Sequence, residues 1–330
     1  MAKSNTIYIM KSLGIMLVVW MHIITYWQPE FYQNQIVCMA KTTLMPTFLA
    51  LGGYLIARKK LDDNWMLKKT MKWGMIIASF TLLYWVWAVL VPQWSMYKNT
   101  LSFGDYLVDS IMRGFSSTVM WYLFVMLVCY LILWLVNKIK WDKTVLVALA
   151  IIAITLIPFY LFQFGHVKWY GMFLFLGYIV GQNKDKLKKL VWLSYPAIGC
   201  FILAWVLTNG MTNWQDLEYG NGGYTIITHA IAGGRWELPI VMFAVSCAGI
   251  LSMIGVSRLL ARVKYLNKVL AYIGTCTLGI YVIHPLFIGI SDNQGLAWVL
   301  ALGVSMGIYL LAMRVYRLAR TQLKMRVADA

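Results

Sequence analysis

The sequence predicts an all-α integral membrane protein: a bundle of about ten transmembrane helices with both termini cytoplasmic. Three observations carry this expectation. Of the 330 residues, 61% are hydrophobic and only 12% charged, and the mean hydropathy is +0.69. That is more apolar side chain than a soluble domain can hide. Apolar runs of about 20 residues, enough to cross a hydrocarbon core of about 30 Å, recur along the chain. The basic residues are sorted by side. With the N-terminus inside, 23 of the 29 lysines and arginines fall on inside connections or the termini. Four (Lys98, Arg113, Lys168 and Arg235) fall outside, and Lys11 and Lys41 lie within helices. The positive-inside rule then sets both termini in the cytoplasm and favours an even helix count.

The predicted spans are 7–27, 36–57, 71–91, 118–136, 144–163, 167–182, 190–208, 238–256, 269–290 and 295–315. The net charge of +17 is therefore a topology signal and not a nucleic-acid footprint, with a secondary attraction for anionic membrane lipid. All five cysteines lie in predicted spans without metal-ligand spacing, so neither a metal site nor a disulfide is expected. The first apolar run is interrupted by His22 and followed by no small-x-small cleavage site, unlike a signal peptide. Residues 1–330 are expected to form one membrane domain with no appended soluble domain.

The first span holds the most informative stretch, Lys11-Ser-Leu-Gly-Ile-Met-Leu-Val-Val-Trp-Met-His22. Ionisable groups inside a bilayer-length helix are costly and mark function by default. Eleven residues make close to three turns, so Lys11 and His22 share one helix face, roughly 16 Å apart along the axis. The helix thus holds a cation toward the inside and an imidazole toward the outside. The second span returns inward and carries Lys41 at the depth of His22; by itself Lys41 reads as a cation satisfied in the bundle or snorkelling to the interface. Pro46, Gly52 and Gly53 make this span a candidate for a bend.

The inner connection that follows is the densest cationic patch: Arg58, Lys59 and Lys60, then Lys68, Lys69 and Lys72 entering the third span. It reads either as a solvated loop meeting lipid headgroups or as a phosphate site. The outer connection 92–117 contains an amphipathic pattern from Phe103 to Phe115, with Phe103, Leu107, Ile111 and Phe115 on its apolar face. The fourth span opens with Met120-Trp121-Tyr122-Leu123. The longest outer connection, 209–237, contains Trp214, Asp216, Glu218 and Trp236, with several further aromatics and glycines. Flat rings beside carboxylates suit a carbohydrate, and a loop of this length is often functional; an ordinary loop with interfacial tryptophans has the same composition. The ninth span brings His284 to the depth of His22 and Lys41.

These motifs, in this order, resemble the acyltransferase-3 family of membrane acyltransferases, especially its fucose 4-O-acetylase-like and WecH-like branch. The family's basic residue, ten residues, then histidine is Lys11 to His22. Its Phe-Phe-x-x-Ser-Gly-Tyr-Leu motif resembles Phe48-Leu-Ala-Leu-Gly-Gly-Tyr-Leu55, with Gly52 in place of the serine. A basic pair at the third span resembles Lys69 and Lys72, an aromatic motif resembles Trp121-Tyr-Leu123, and a late Ser-x-Gly-Ile-Tyr-x-x-His resembles Thr277 to His284. An aspartate often found three residues before the basic residue is Tyr8 here.

The resemblance implies a multi-pass protein of the bacterial cytoplasmic membrane. It would move an acyl group, usually acetyl, from cytoplasmic acetyl-CoA or another acyl-CoA to a hydroxyl of a cell-surface or lipid-linked glycan. His22, Lys11 and His284 are the expected catalytic residues, with His22 as general base. Lys11, Lys69, Lys72, Arg58 and Lys59 are expected at the donor's phosphates. Lys41, Trp121, Tyr122, Trp214, Asp216, Glu218 and Trp236 are expected at the glycan. Two other classes fit parts of the pattern. A polysaccharide exporter also places charge within the membrane, but the Lys11–His22 pattern has no second copy of the kind inverted repeats supply. A non-catalytic subunit of a glycan-synthesis complex explains the topology but not the Lys–His helix.

Overall fold

The computed structural model describes residues 2–28, 34–94, 102–112, 119–156, 164–208 and 237–328. Every regular element in them is helical: α1 (Ala2–Trp27), α2 (Gln35–Ile56), α3 (Asp63–Leu90), α4 (Phe103–Met112), α5 (Trp121–Lys138), α6 (Lys143–Leu156), α7 (Phe164–Gln182), α8 (Lys184–Leu207), α9 (Glu237–Leu260), α10 (Lys264–Thr275), α11 (Thr277–Ile283), a 3-10 turn (His284–Phe287) and α12 (Gln294–Ala328). The ten predicted spans map onto these helices in order. Six helices are long and apolar enough to cross a membrane: Asn5–Trp27, Gln35–Ile56, Asp63–Leu90, Trp121–Lys138, Ile240–Leu260 and Gln294–Ala319. The pair Lys264–Thr275 and Thr277–Phe287, bent by 57°, makes a seventh if read as one broken span. Over the described residues α6, α7 and α8 do not reach that measure. The outward faces of α3 and α12 are apolar, with Leu67, Met75, Leu90, Leu311 and Leu318 all more than half exposed, as lipid-facing helices require.

α1 and α2 lie at the centre. α2 packs most extensively against α7, and α1 against α10. Glycines permit the closest approaches. A Cβ on Gly53 would overlap the Leu174 carbonyl, and one on Gly177 would overlap the Ala50 carbonyl, so the α2–α7 seam is backbone on backbone. Gly274 plays the same part where α10 meets the Tyr8 carbonyl of α1. Despite its Pro46, α2 runs as one helix from an Asn34 cap, whose side chain accepts from the Ile36 and Val37 amides.

The ninth predicted span differs most from expectation. It breaks at Cys276, where Thr275 and Thr277 hydroxyls donate to the carbonyls of Tyr272 and Gly274 at 2.7 and 2.8 Å. It tightens again at His284-Pro285, because proline has no N–H to continue the ladder. α3 supplies donors to this turn: Tyr84 Oη to the Val282 carbonyl (2.8 Å) and Trp87 Nε1 to the Leu286 carbonyl (2.6 Å). Irregular backbone at membrane depth persists where protein groups satisfy it in this way. The α4 pattern is helical as expected, but Tyr106 and Ser110 are its buried residues and Ile111 is exposed. Phe115 lies outside the described residues.

Candidate active site

The spacing in α1 sets the geometry. Lys11, Ile15, Val18 and His22 fall on one face at helical intervals. The first three line a cavity of about 300 Å³. Lys11, Lys59 and Lys69 contribute cations to its lining, and Trp65, Trp73, Tyr122, Met126, Tyr130 and Tyr281 contribute much of its wall. Lys69 Nζ sits 4.7 Å from the Trp73 ring centroid and 5.8 Å from that of Trp65, so two aromatic faces hold this cation. Lys11 Nζ lies 5.7 Å from the Tyr8 ring. The expected cationic group divides here. Lys11, Lys59 and Lys69 share the cavity. Lys72 is exposed and lies outside its lining. Arg58, just past the end of α2, turns back to that helix, donating to Tyr54 Oη at 2.7 Å.

Gly52 also lines this cavity. A Cβ there would stand 2.7 Å from Met126 Cε and 3.0 Å from its Sδ. The glycine that replaces the resembled serine therefore leaves room that Met126 uses.

The histidines meet about one turn of α1 beyond Val18, outside the cavity's lining. His22 Nδ1 is 2.8 Å from His284 Nε2, and both side chains are buried, at 9% and 0% exposure. Their ring planes are 7° apart with centroids 5.1 Å apart. Parallel planes cannot lie farther apart than the closest atoms across them. At 2.8 Å that is too thin for stacked rings, so the two imidazoles are joined edge to edge and nearly coplanar. His284 Nδ1 lies 2.9 Å from the Ile280 carbonyl, one turn back. Tyr281 links this pair to the cavity: its ring centroid is 6.4 Å from that of His284 and 5.5 Å from that of Tyr122. Sequence reasoning set Tyr122 at the glycan; its position in the cavity wall is shared with Tyr281.

Lys41 is 8% exposed, buried in the bundle and not snorkelling. It stands within electrostatic reach of both His22 and His166. His166 was not singled out from the sequence. Its ring lies 4.7 Å from Trp121, which also faces Tyr170 at 5.4 Å. His166 Nδ1 is buried and accepts or donates no hydrogen bond among the described residues. The signal that points to it is the one that identified His22: an ionisable side chain beside an apolar run, here the run from Trp169 to Val180. The structure thus brings Lys41 and Trp121 into one neighbourhood through His166. Trp214, Asp216, Glu218 and Trp236 lie outside the described residues. Among the described residues, no group of three or more His, Cys, Asp or Glu side chains is placed to hold a metal ion.

The arrangement is chemically directional. A cationic, aromatic-walled cavity opens along one face of α1, and a hydrogen-bonded imidazole pair lies farther along the same face, with a buried ammonium near it. Comparison with known proteins adds an independent finding. No curated protein and no solved structure matches the chain. The family model for the acyltransferase domain of acyltransferase-3 proteins matches residues 5–317, nearly the whole chain. The chain therefore belongs to the acyltransferase-3 family, a family of multi-pass membrane acyltransferases.

Proposed function

We propose that this protein is an O-acyltransferase of the fucose 4-O-acetylase-like branch that takes acetyl, or another acyl group, from cytoplasmic acyl-CoA. It passes the group to a hydroxyl of a cell-surface or lipid-linked glycan at the outer side of a bacterial cytoplasmic membrane. One observation carries the reading: Lys11, Lys59 and Lys69 line the same cavity as Ile15 and Val18, on the α1 face that leads to His22. Cations suit the phosphates of CoA, and an apolar wall suits the pantetheine arm and the acyl thioester. His22 is the general base. It takes the proton of the acceptor hydroxyl as that oxygen bonds to the thioester carbonyl; the carbon–sulfur bond then breaks, and the CoA thiolate receives the proton. A sugar hydroxyl needs such a base because it is not ionised near neutral pH. Lys41 is suited to stabilise the developing oxyanion. Trp121 and His166, with Trp214, Asp216, Glu218 and Trp236 of the outer loop, form the glycan side.

The topology belongs to the same proposal: ten spans, with α6, α7 and α8 as three of them, and both termini cytoplasmic. Reporters at Asp63 and Lys264 should be cytoplasmic and one at Asp292 external; an internal Asp292 would overturn it. The chemistry is tested by glycan mass spectrometry on cells with and without the protein, and by transfer from labelled acetyl-CoA to that glycan with purified protein. A fixed mass increment per repeat is expected. Unchanged glycans together with no donor hydrolysis or transfer by the purified protein would refute the reading and favour export.

A further inference from the structure

The hydrogen bonds around His284 determine more than proximity. The Ile280 carbonyl oxygen can only accept, so the Nδ1 that lies 2.9 Å from it must carry a hydrogen. In a neutral ring His284 Nε2 then bears an unshared pair. The bond 2.8 Å away to His22 has one polarity left to it, with His22 Nδ1–H donating and His284 Nε2 accepting. In neutral His22 the remaining nitrogen, Nε2, carries the unshared pair. No hydrogen bond among the described residues engages it, and His22 keeps 9% of its surface open.

We propose that His284 is a positioning residue that touches neither donor nor glycan: it relays the orientation of the Ile280 carbonyl to His22, locks His22 in the Nδ1–H tautomer, and so leaves Nε2 as the base. This rests on the acyltransferase reading above. The backbone break described earlier makes the relay possible. The tight turn at His284-Pro285, held by Tyr84 and Trp87 of α3, fixes the ring that bonds to α1. When His22 Nε2 takes the acceptor's proton, the new charge spreads to Nδ1–H, whose bond to His284 strengthens as it becomes charge-assisted. No proton need leave His284 during the cycle.

The test has a spectroscopic arm and a kinetic arm. Protein labelled with ¹⁵N-histidine, its resonances assigned by single His→Gln variants, should show both His22 and His284 neutral and protonated at Nδ1 at pH 7.5. That is the form less populated in free histidine. His22 protonated at Nε2, or either ring as imidazolium, would overturn the proposal. Kinetically, His284→Ala should lower kcat at least about tenfold, a part of the general-base contribution, with KM for donor and acceptor unchanged. His284→Gln, whose amide oxygen can accept from His22 Nδ1–H, should recover most of that loss. A His284→Ala protein that raises the acceptor KM with kcat intact would make His284 a glycan contact instead. The two failures are distinguishable: absent transfer with the stated tautomers removes the enzymatic reading and leaves the relay, whereas active protein with the other tautomer does the reverse.

Discussion

The two ends of α1 are built differently. At the Lys11 end the charged groups border an open cavity, where Lys11 and Lys69 lie over aromatic faces. At the His22 end the side chains are buried and joined ring to ring, with a backbone carbonyl closing the chain. The first is a tolerant construction. On the acyl-CoA proposal several cations, each partly exposed, would share the work of holding a polyanion. The second has no redundancy, because one nitrogen is left over and its availability depends on every bond behind it. On the proposed mechanism binding and chemistry separate along one helix, and substitutions at the two ends should differ in kind as well as in size.

The largest effect is expected at the His22 end. His22→Ala should reduce turnover at least about 100-fold, the lower part of what a general base contributes, while acyl-CoA binding stays close to the parent value. Measuring kcat and donor affinity on the same preparation checks both. Near-parental turnover by a well-expressed variant would erase the contrast between the two ends and bring the exporter reading forward.

The Lys11 end should respond more gently. Removing one charge-assisted contact costs about 1.5–3 kcal/mol, reduced here because Lys69 is partly exposed. Lys69→Gln should therefore weaken acyl-CoA binding by about tenfold and make it less sensitive to salt, with kcat little altered. Lys72→Gln, outside the cavity, should leave affinity within about twofold, since exposed charges usually contribute under about 1 kcal/mol. If the two variants behave alike, the cavity does not discriminate between them, and the patch acts only through its summed field.

How much of this was legible in the sequence follows from the range of each interaction. The helices were legible because hydropathy is local, and the Lys11–His22 face because helical periodicity fixes it. The ninth span was expected as one continuous helix: Pro285 marks its tightening, but the bend at Cys276 depends on threonine hydroxyls competing for carbonyls. The division of Lys69 from Lys72 was not legible, since both sit at the mouth of α3 and only the position of Trp73 and Trp65 selects one. The His22–His284 bond joins residues 262 apart in the chain, and no spacing rule reports such a contact. Depth alone suggested that the two could meet. His166 belongs to no motif and was visible only as a titratable group in a hydrophobic setting.

Among the residues that line the cavity, the smallest effect is expected at Gly52, between the two ends. Family resemblance would put a serine there, and a hydroxyl at that point invites a catalytic reading. The packing gives a steric one. Any Cβ at 52 meets Met126 at 2.7–3.0 Å, and Tyr130 Oη is only 3.5 Å from it, so Met126 must move, and it lines the cavity proposed for the donor. Overpacking costs about 1–3 kcal/mol, and the adaptable thioether keeps the cost toward the low end. Gly52→Ser should thus raise the donor Kd by about fivefold, equivalent to about 1 kcal/mol. Gly52→Ala should match it, because the Cβ and not the oxygen does the displacing. Shortening the neighbour in the Gly52→Ser, Met126→Ala double variant should recover donor affinity beyond the sum of the single changes, a coupling that a double-mutant cycle measures. A serine variant with tighter binding or faster turnover than the alanine variant would show the hydroxyl acting for itself, and the boundary between binding and chemistry would then lie nearer Lys11 than His22.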